Sequence, residues 1–316
     1  MIKIALIATS VVLLHGIPVI TPPVLSPTTT ADSSFAWTGT VPAGGWLRIR
    51  NLAGTVEVTR ASGNTIEVHA TPESESDRWT WNTKPSEPVR FVTQRQGSEV
   101  VVCAISNTMP HCDANDLSSP NSGWNDDWHP RAMHVVVRLP AGVSLQAGTM
   151  HGDLTIADAS AEVVARSGHG TISVRDVTGV VTANSGHGDV NVIGAASRVT
   201  ANTGHGTIHV SSAGAVHATT GHGDVVVELA SAAALGSNDM MFKTGHGNIS
   251  VSAPKSLSGD IDLHTDRGNV SSDFPLTVAD HGRYARTGSA HGILGSGGRT
   301  VRLSSGHGDV RLTAGS

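Results

Sequence analysis

The sequence predicts an all-β protein, a single-stranded β-helix or β-solenoid with coils of about 18 residues, for which a right-handed turn is expected. Three observations support this prediction. Gly-His-Gly triplets recur at intervals close to 18 residues through the second half of the chain. Apolar and polar residues alternate on both sides of each triplet, as in strands with one buried face. Aromatic residues make up only 3% of the chain, which suits the narrow aliphatic core of stacked, near-identical coils.

Residues 1–31 have the pattern of a signal peptide or a membrane anchor. An apolar run at 4–20 is followed by a Pro/Thr/Ser-rich stretch, and Ala31 closes the best small-residue cleavage site. The apolar run is also nearly long enough to act as an uncleaved membrane tether. Both alternatives predict export to the periplasm or the cell surface.

Residues 32–71 are expected to form the first β-coils or a cap. Segments 47–50, 55–58 and 66–70 have strand patterns, separated by turns at Gly54 and at Gly63-Asn64. The early strands therefore look like the same kind of strand as the later repeat.

Residues 72–134 interrupt this rhythm and predict an irregular insert that contains a hairpin of 89–93 with 100–104. Four tryptophans of the insert either cover the apolar end of the solenoid or form a platform for a ligand or glycan. They are Trp79, Trp81, Trp124 and Trp128.

Cys103 and Cys112 also lie in this insert. Two cysteines at short spacing in an exported protein predict a disulfide. The alternative is a metal site that adds His111 and one of three further residues, Asp113, His129 or His134, although zinc sites generally show tighter cysteine spacing.

Residues 135–316 are expected to form the solenoid itself, with nine or ten coils from about residue 142 and a length of roughly 45 Å at the usual strand spacing. Counted from each histidine as zero, positions −6, −4, +3 and +5 are apolar, and position −2 is always Ser or Thr. The glycine-flanked bend has to reset the alternation between the two strands, and the position −2 hydroxyls should form a ladder at the corner of the core. The 40 residues between Arg267, which stands in the histidine frame, and His307 would hold two degraded coils at His281 and His291.

These motifs resemble a known family. The segment 135–142, the repeated Gly-Asp/Thr-Val/Ile-x-Val units and the closing segments 301–303 and 308–312 are similar to the bacterial family of putative adhesins, domain of unknown function 4097. Segment 47–58 is similar to the family's opening, so that the resemblance covers about residues 42–316. It implies a single-stranded β-helix that is exported or membrane-tethered, with relatives linked to envelope stress and surface display, and it implies no catalytic residues.

Stacked coils would bring the triplet histidines into one row, for which three interpretations are open: a turn residue copied by repeat duplication, a metal-binding row, or a pH-responsive edge. Imidazole with nearby carboxylate suits Zn, Cu or Ni, whereas the nonapeptide pattern of calcium repeats is absent. Neighbouring imidazolium groups would repel each other by about 0.9 kcal/mol even at the dielectric constant of water. The candidate residues are His151, His169, His187, His205, His222, His246 and His307, with Asp153, Asp189, Asp224 and Asp309 at position +2.

The charge balance argues against nucleic acid as a partner, because the chain carries a formal charge of −5 and no cluster of Lys and Arg. No nucleophile elbow or phosphate-binding loop is present, and no cofactor is expected apart from a divalent metal such as Zn, Cu or Ni. The sequence therefore predicts a non-enzymatic exported β-solenoid, an adhesin or cell-envelope scaffold that binds a protein or glycan of the surface or envelope. The alternatives are a metal- or pH-responsive binding protein and, third, a carbohydrate-active β-helix enzyme.

Overall fold

The computed structural model of the chain describes residues 34–73, 86–117, 128–230, 235–280 and 288–315. These residues form 25 strands and no helix, so nothing in them is a helix long and apolar enough to cross a membrane. In chain order the strands are β1 (Phe35–Gly39), β2 (Trp46–Ala53), β3 (Val56–Arg60), β4 (Ile66–Pro72), β5 (Arg90–Gln96), β6 (Glu99–Ile105), β7 (Met133–Leu139), β8 (Ser144–His151), β9 (Leu154–Ala157), β10 (Val163–His169), β11 (Ile172–Arg175), β12 (Val181–His187), β13 (Val190–Ala195), β14 (Val199–His205), β15 (Ile208–Ser212), β16 (Val216–His222), β17 (Val225–Leu229), β18 (Met240–His246), β19 (Ile249–Pro254), β20 (Gly259–Arg267), β21 (Val270–Ser272), β22 (Thr277–Asp280), β23 (Gly288–Leu294), β24 (Thr300–His307) and β25 (Val310–Gly315).

The strands form two long sheets that are mostly parallel. The 12-strand sheet has the order β1-β4-β7-β3-β9-β11-β13-β15-β17-β19-β25-β21. The 13-strand sheet has the order β22-β23-β20-β24-β18-β16-β14-β12-β10-β8-β2-β6-β5. Each coil contributes one strand to each sheet, and the core lies between them, which confirms the predicted all-β, solenoid-like architecture.

One coil, β12 with β13, shows why this sequence folds in this way. Its four predicted core residues, Val181, Ala183, Val190 and Val192, are fully buried, while the residues between them face outward. Parallel pairing then places the same repeat position of successive coils side by side, as with Val181 and Val199. Each core side chain therefore lies one strand spacing from the same position of the next coil. Side chains of similar size have to stack there, and the core is built from small aliphatic residues.

The coils do not stack in chain order at the carboxyl end. Strand β24 pairs in parallel with both β18 and β20, so that the last coil of the chain, β24 with β25, lies between two earlier coils. The expectation of two degraded coils between Arg267 and His307 is wrong for His291, which lies in β23, an antiparallel partner of β20. The residue His281 lies outside the described residues. Strand β23 instead pairs with the edge of β20 that faces away from β24. The final coil lies on the other side of β20, so it does not cover this edge.

Nine stacked coils are present in the described part of the chain, eight of them from β8 onward rather than the nine or ten expected. The ninth is β2 with β3, which pairs with β8 and β9 and has Ala53 in register with His151. The strands predicted before the insert are confirmed, as is the hairpin, formed by β5 and β6. Strand β7 continues the 12-strand sheet as a parallel partner of β3, and β4 and β1 follow it in antiparallel pairs.

The predicted disulfide between Cys103 and Cys112 is present, with 5.4 Å between the two Cα atoms. It fixes residues 106–117 over the outer face of the 13-strand sheet. Beneath this loop, the Arg50 side chain is only 1% exposed and its guanidinium donates to the carbonyl oxygens of Ala104 and His111, at 3.0 and 2.6 Å. Burial lowers the pKa of Arg50, and the charges of Asp116 and Asp113 act in the opposite direction.

Glu87 joins three separate segments beside this loop. Its Oε1 accepts hydrogen bonds from the backbone N–H and the hydroxyl of Thr108, at 2.8 and 3.1 Å, and its Oε2 accepts one from the indole N–H of Trp128. Partial burial would raise the pKa of Glu87, but the hydrogen bonds from Thr108, Trp128 and Ser106 outweigh it and hold this pKa below its usual value.

Candidate functional site

The seven triplet histidines form one continuous row along an edge of the solenoid. Each pairs in register with the histidine of the neighbouring coil, and ring centroids of neighbours lie 4.5 to 5.0 Å apart with interplanar angles of 1 to 3°. The five rings from His169 to His246 in the row are exposed, whereas His151 and His307 at the two ends are half-buried. We call this row the histidine ladder; in spatial order it consists of His151, His169, His187, His205, His222, His246 and His307.

The glycines on either side of each histidine are required for two different reasons. A Cβ on the first glycine of a triplet, such as Gly186, would lie 2.5 Å from the carbonyl oxygen of the stacked Gly168. The second, such as Gly188, has a φ of +138° and its Cβ would lie 2.3 Å from the carbonyl oxygen of Gly170. Only glycine fits both the close approach and the backbone conformation, which explains why the bend holds a side chain at its central position alone.

A ladder of hydroxyls lies directly inside the histidine ladder, as the sequence predicted. At position −2 the Ser or Thr side chains are buried, and each donates a hydrogen bond to the carbonyl oxygen of the second glycine of a neighbouring coil. Thr203, for example, donates to Gly188 at 2.9 Å, and Ser185 donates to Gly170 at 3.0 Å. These hydrogen bonds connect each bend to the next and hold the histidines in a fixed register. The residues are Thr149, Ser167, Ser185, Thr203, Thr220, Thr244, Thr265 and Ser305.

The aspartates at position +2 are structural partners of the neighbouring coil. Oδ1 of Asp153 accepts the backbone N–H of Thr171 at 2.7 Å, and Oδ1 of Asp189 accepts that of Thr207 at 2.8 Å. In spatial order an aspartate occupies every second coil and a neutral residue the coils between. The order is Thr55, Asp153, Thr171, Asp189, Thr207, Asp224, Asn248, Asp309 and Asn269.

This alternation keeps like charges apart. In a parallel in-register stack, aspartates in successive coils would lie about 4.8 Å from each other, whereas alternation doubles that distance. The pattern holds only because the final coil lies between Asn248 and Asn269: Asn248 Oδ1 accepts the N–H of Asp309 at 2.9 Å, and Asp309 Oδ1 accepts the N–H of Asn269 at 2.8 Å.

Arg267 ends the ladder at the carboxyl side. Its Nη1 lies 2.7 Å from Nε2 of His307. Because a guanidinium only donates, Nε2 of His307 is the acceptor in this contact. Nδ1 of the same ring is buried without a hydrogen-bond partner. Arg267 thus uses Nε2 of His307, the nitrogen through which this last histidine would otherwise bind a ligand.

Other candidate residues do not join the ladder. Since both cysteines form the disulfide, the alternative metal site with His111 is excluded, and among the described residues no three His, Cys, Asp or Glu side chains are arranged to hold one metal ion. Trp128 is 7% exposed and packs in the core, whereas the platform candidates Trp79, Trp81 and Trp124 lie outside the described residues.

Sequence reasoning missed three structural features. Arg50 ends the predicted strand 47–50, and only the covering loop buries it. No periodic signal identified Glu87, which lies outside the repeat. The alternation of aspartate with a neutral residue was read in chain order as intermittent, and it becomes regular only in the order of the stack.

Parallel coils of near-equal length, a core between two sheets and identical residues in register define the chain as a β-solenoid protein. Within that class, the chain belongs to the Toastrack family, DUF4097, whose model matches residues 128–313. This match confirms the family resemblance seen in the sequence.

Two solved structures match the chain, and each match covers most of both chains. One is a putative cell adhesion protein from Clostridium sporogenes, with 11% identity over 90% of this chain and 100% of that one, and a TM-score of 0.25. The other is a putative adhesin from Bacteroides fragilis, with 9% identity over 89% of this chain and 97% of that one, and a TM-score of 0.41. No curated protein matches the chain.

Proposed function

We propose that the chain is a non-enzymatic, exported binding module that acts as an adhesin or scaffold of the cell envelope. The disulfide supports export, because such bonds form and persist mainly in oxidising compartments. Membership of the Toastrack family is compatible with this role. The aspartates at position +2 have a structural use, because their Oδ1 atoms accept backbone N–H groups of the neighbouring coil, which argues against a catalytic role for them.

The observation that carries the proposal is the outer face of the 13-strand sheet. At its centre, the outward residues of β12 and β14 are short, polar and uncharged, and they lie side by side at the strand spacing. Val164 and Arg166 flank them on one side, and His217 and Thr219 on the other. The outward residues of β12 and β14 are half-buried, which leaves a flat surface on which Asn202 donates an amide hydrogen bond to Asn184 at 2.8 Å. We call this surface the polar face; it consists of Thr182, Asn184, Thr200, Asn202 and Thr219.

A flat array of hydroxyl and amide groups at regular spacing suits an extended partner with a repeating pattern of hydrogen-bond groups, a glycan or a protein strand of the envelope. It offers no cleft that would enclose a small substrate. The three adjoining strands of the face let several weak contacts act together, so that affinity depends on how many of these strands the partner engages.

The test uses isolated bacterial cell walls as the probe, before and after protease treatment and before and after periodate oxidation of glycans. The full chain is expected to sediment with the walls, and the treatment that removes this binding identifies the partner class. Thr200→Arg, at the centre of the polar face, should reduce binding at least ten-fold. Ser211→Arg lies in the adjoining strand β15 but faces outward on the 12-strand sheet, and it is the matched control that should bind normally.

Failure of the full chain to bind any wall preparation would overturn the binding role. Equal loss in both variants would show that the polar face is not the contact surface. A measurable hydrolytic or lyase activity on these walls would contradict the non-enzymatic assignment.

A further inference from the structure

We propose that neighbouring imidazoles of the histidine ladder bind exchangeable divalent transition-metal ions, Zn²⁺, Cu²⁺ or Ni²⁺, with two rings to each ion and water completing the coordination. This site is separate from the polar face, so the proposal does not depend on what partner the chain binds. The histidine that the repeat places at the bend is then a ligand for divalent transition-metal ions.

The donor set fits these ions. Imidazole nitrogen is a good ligand for Zn, Cu and Ni, whereas Ca²⁺ and Mg²⁺ prefer several oxygen ligands. The Oδ1 atoms of the nearby aspartates already accept backbone N–H groups, for example from Thr171 to Asp153. The ring nitrogens are the ligand atoms that every coil of the ladder supplies along this edge, whereas an aspartate is present only in every second coil.

The spacing determines how many rings can reach one ion. Metal–nitrogen bonds of about 2.0–2.1 Å place two nitrogens on one ion at most ~4.2 Å apart. Neighbouring centroids in the exposed part of the ladder are 4.7 or 4.8 Å apart, so two ring nitrogens have to approach each other by about half an ångström or more to bind one ion. The stacked rings are within 3° of parallel, so both side chains must also rotate until their nitrogen lone pairs point at the common ion. A third ring is one full coil further away and cannot reach the same ion.

The surroundings allow this movement. Each histidine is flanked by glycines, whose lack of a side chain leaves the ring free of packing from its own strand. The hydroxyl ladder holds the backbone of the bends in place while the exposed rings rotate. The backbone is therefore arranged before binding, and only side-chain rotation has to be lost.

The ends of the ladder limit the number of ions. Nε2 of His307 already accepts from Arg267, whose positive charge also disfavours a cation nearby. The five exposed rings from His169 to His246 provide two separate pairs. We expect two ions per chain.

The experiment compares two triple variants with equal numbers of histidines but different adjacency. In the alternate variant, His169, His205 and His246 are changed to Asn, so no two remaining ladder histidines are neighbours. In the block variant, His151, His169 and His187 are changed to Asn, which leaves the exposed neighbours His205, His222 and His246. Asparagine is chosen because its amides stack well in parallel strands, and circular dichroism confirms folding of both. None of the proteins carries a histidine tag.

Calorimetric titration with Zn²⁺, Cu²⁺ and Ni²⁺, each added alone, measures stoichiometry and affinity, and electron paramagnetic resonance of the Cu²⁺ form counts the bound nitrogens. We expect two ions for the native chain with at least one of these metals, one ion of similar affinity for the block variant, and at least ten-fold weaker binding for the alternate variant. The Cu²⁺ spectrum of the native chain should show two nitrogen ligands.

Absence of binding to the native chain with all three metals would overturn the proposal. Equal affinity in the two triple variants would also overturn it, because binding would then not require neighbouring rings.

Discussion

At the scale of single residues, the bend shows how strictly the stack selects side chains. Gly188 has both a left-handed φ and a stacked carbonyl oxygen where its Cβ would be, so a larger residue meets backbone rather than a movable side chain. The histidine between the glycines points away from both constraints. This is the reason that the one large side chain of the bend is always at its centre.

Gly188→Ala is therefore expected to destabilise the protein by roughly 2–4 kcal/mol, since it adds backbone strain and a steric clash with Gly170. The matched control is Gly63→Ala, in a turn where nothing lies within 4 Å of an added Cβ. Thermal unfolding measures both. Similar melting temperatures for the two variants would contradict the steric argument.

Glu87 makes stability depend on pH in the acidic range. Its pKa is lowered in the folded state, so its contribution is present above the unfolded value of about 4.5 and is lost as the pH falls through the lower folded-state value. Glu87→Gln should cost about 1 kcal/mol at pH 7, a small amount because the carboxylate is only partly buried. Urea unfolding of both proteins at pH 7 and pH 3 measures the difference, which should shrink at pH 3. A constant difference would show that the charge of Glu87 is irrelevant.

At the scale of elements, the loop 106–117 depends on its disulfide. It covers Arg50 and Gln146, and Gln146 donates to Ala114 and Asn115 in the loop at 2.9 and 3.0 Å. The loop is thus attached to the sheet by these polar contacts and by its apolar residues Met109, Ala114 and Leu117.

Changing both Cys103 and Cys112 to Ala is expected to cost about 2.7 kcal/mol on the chain-entropy model for a ten-residue loop. The loss should be local. Amide hydrogen exchange is expected to accelerate in 106–117 and at the outer strands near Arg50, while strands β12 to β17 keep their protection. Uniform acceleration along the solenoid would contradict this and would show that the loop stabilises the whole stack.

At the scale of the whole molecule, the repeat continues through seven successive coils as one line of stacked imidazoles, with ring centroids of neighbours 4.5 to 5.0 Å apart. Arg267 ends this line, with its Nη1 2.7 Å from Nε2 of His307.

The repeat made most of this fold predictable, because the same apolar, hydroxyl and glycine positions are sampled once per coil. The core positions around His187, the hydroxyl ladder and the hairpin of β5 and β6 all follow from local alternation. The position of the final coil does not, since Val301 and Leu303 fit next to any coil and local sequence does not specify which. The burial of Arg50 depends on a loop that carries no period.

The residues of the candidate site could be predicted from the sequence, but their hydrogen-bond partners could not. Regular spacing brought His169 and His187 into one row, whereas the contact between Arg267 and His307 depends on the order of the coils. The use of Asp189 as a backbone acceptor likewise requires knowledge of the neighbouring coil.

The position of β24 and β25 has a consequence for how the chain is completed. These strands are the last described part of the sequence, yet they lie inside the stack, between β18–β19 and β20–β21. A chain shortened before Thr300 would therefore lack an internal layer rather than a terminal one, and β20 and β21 would have lost their parallel partners. During synthesis, the coil that contains Arg267 has to wait for the final residues to emerge before it can dock in its native place.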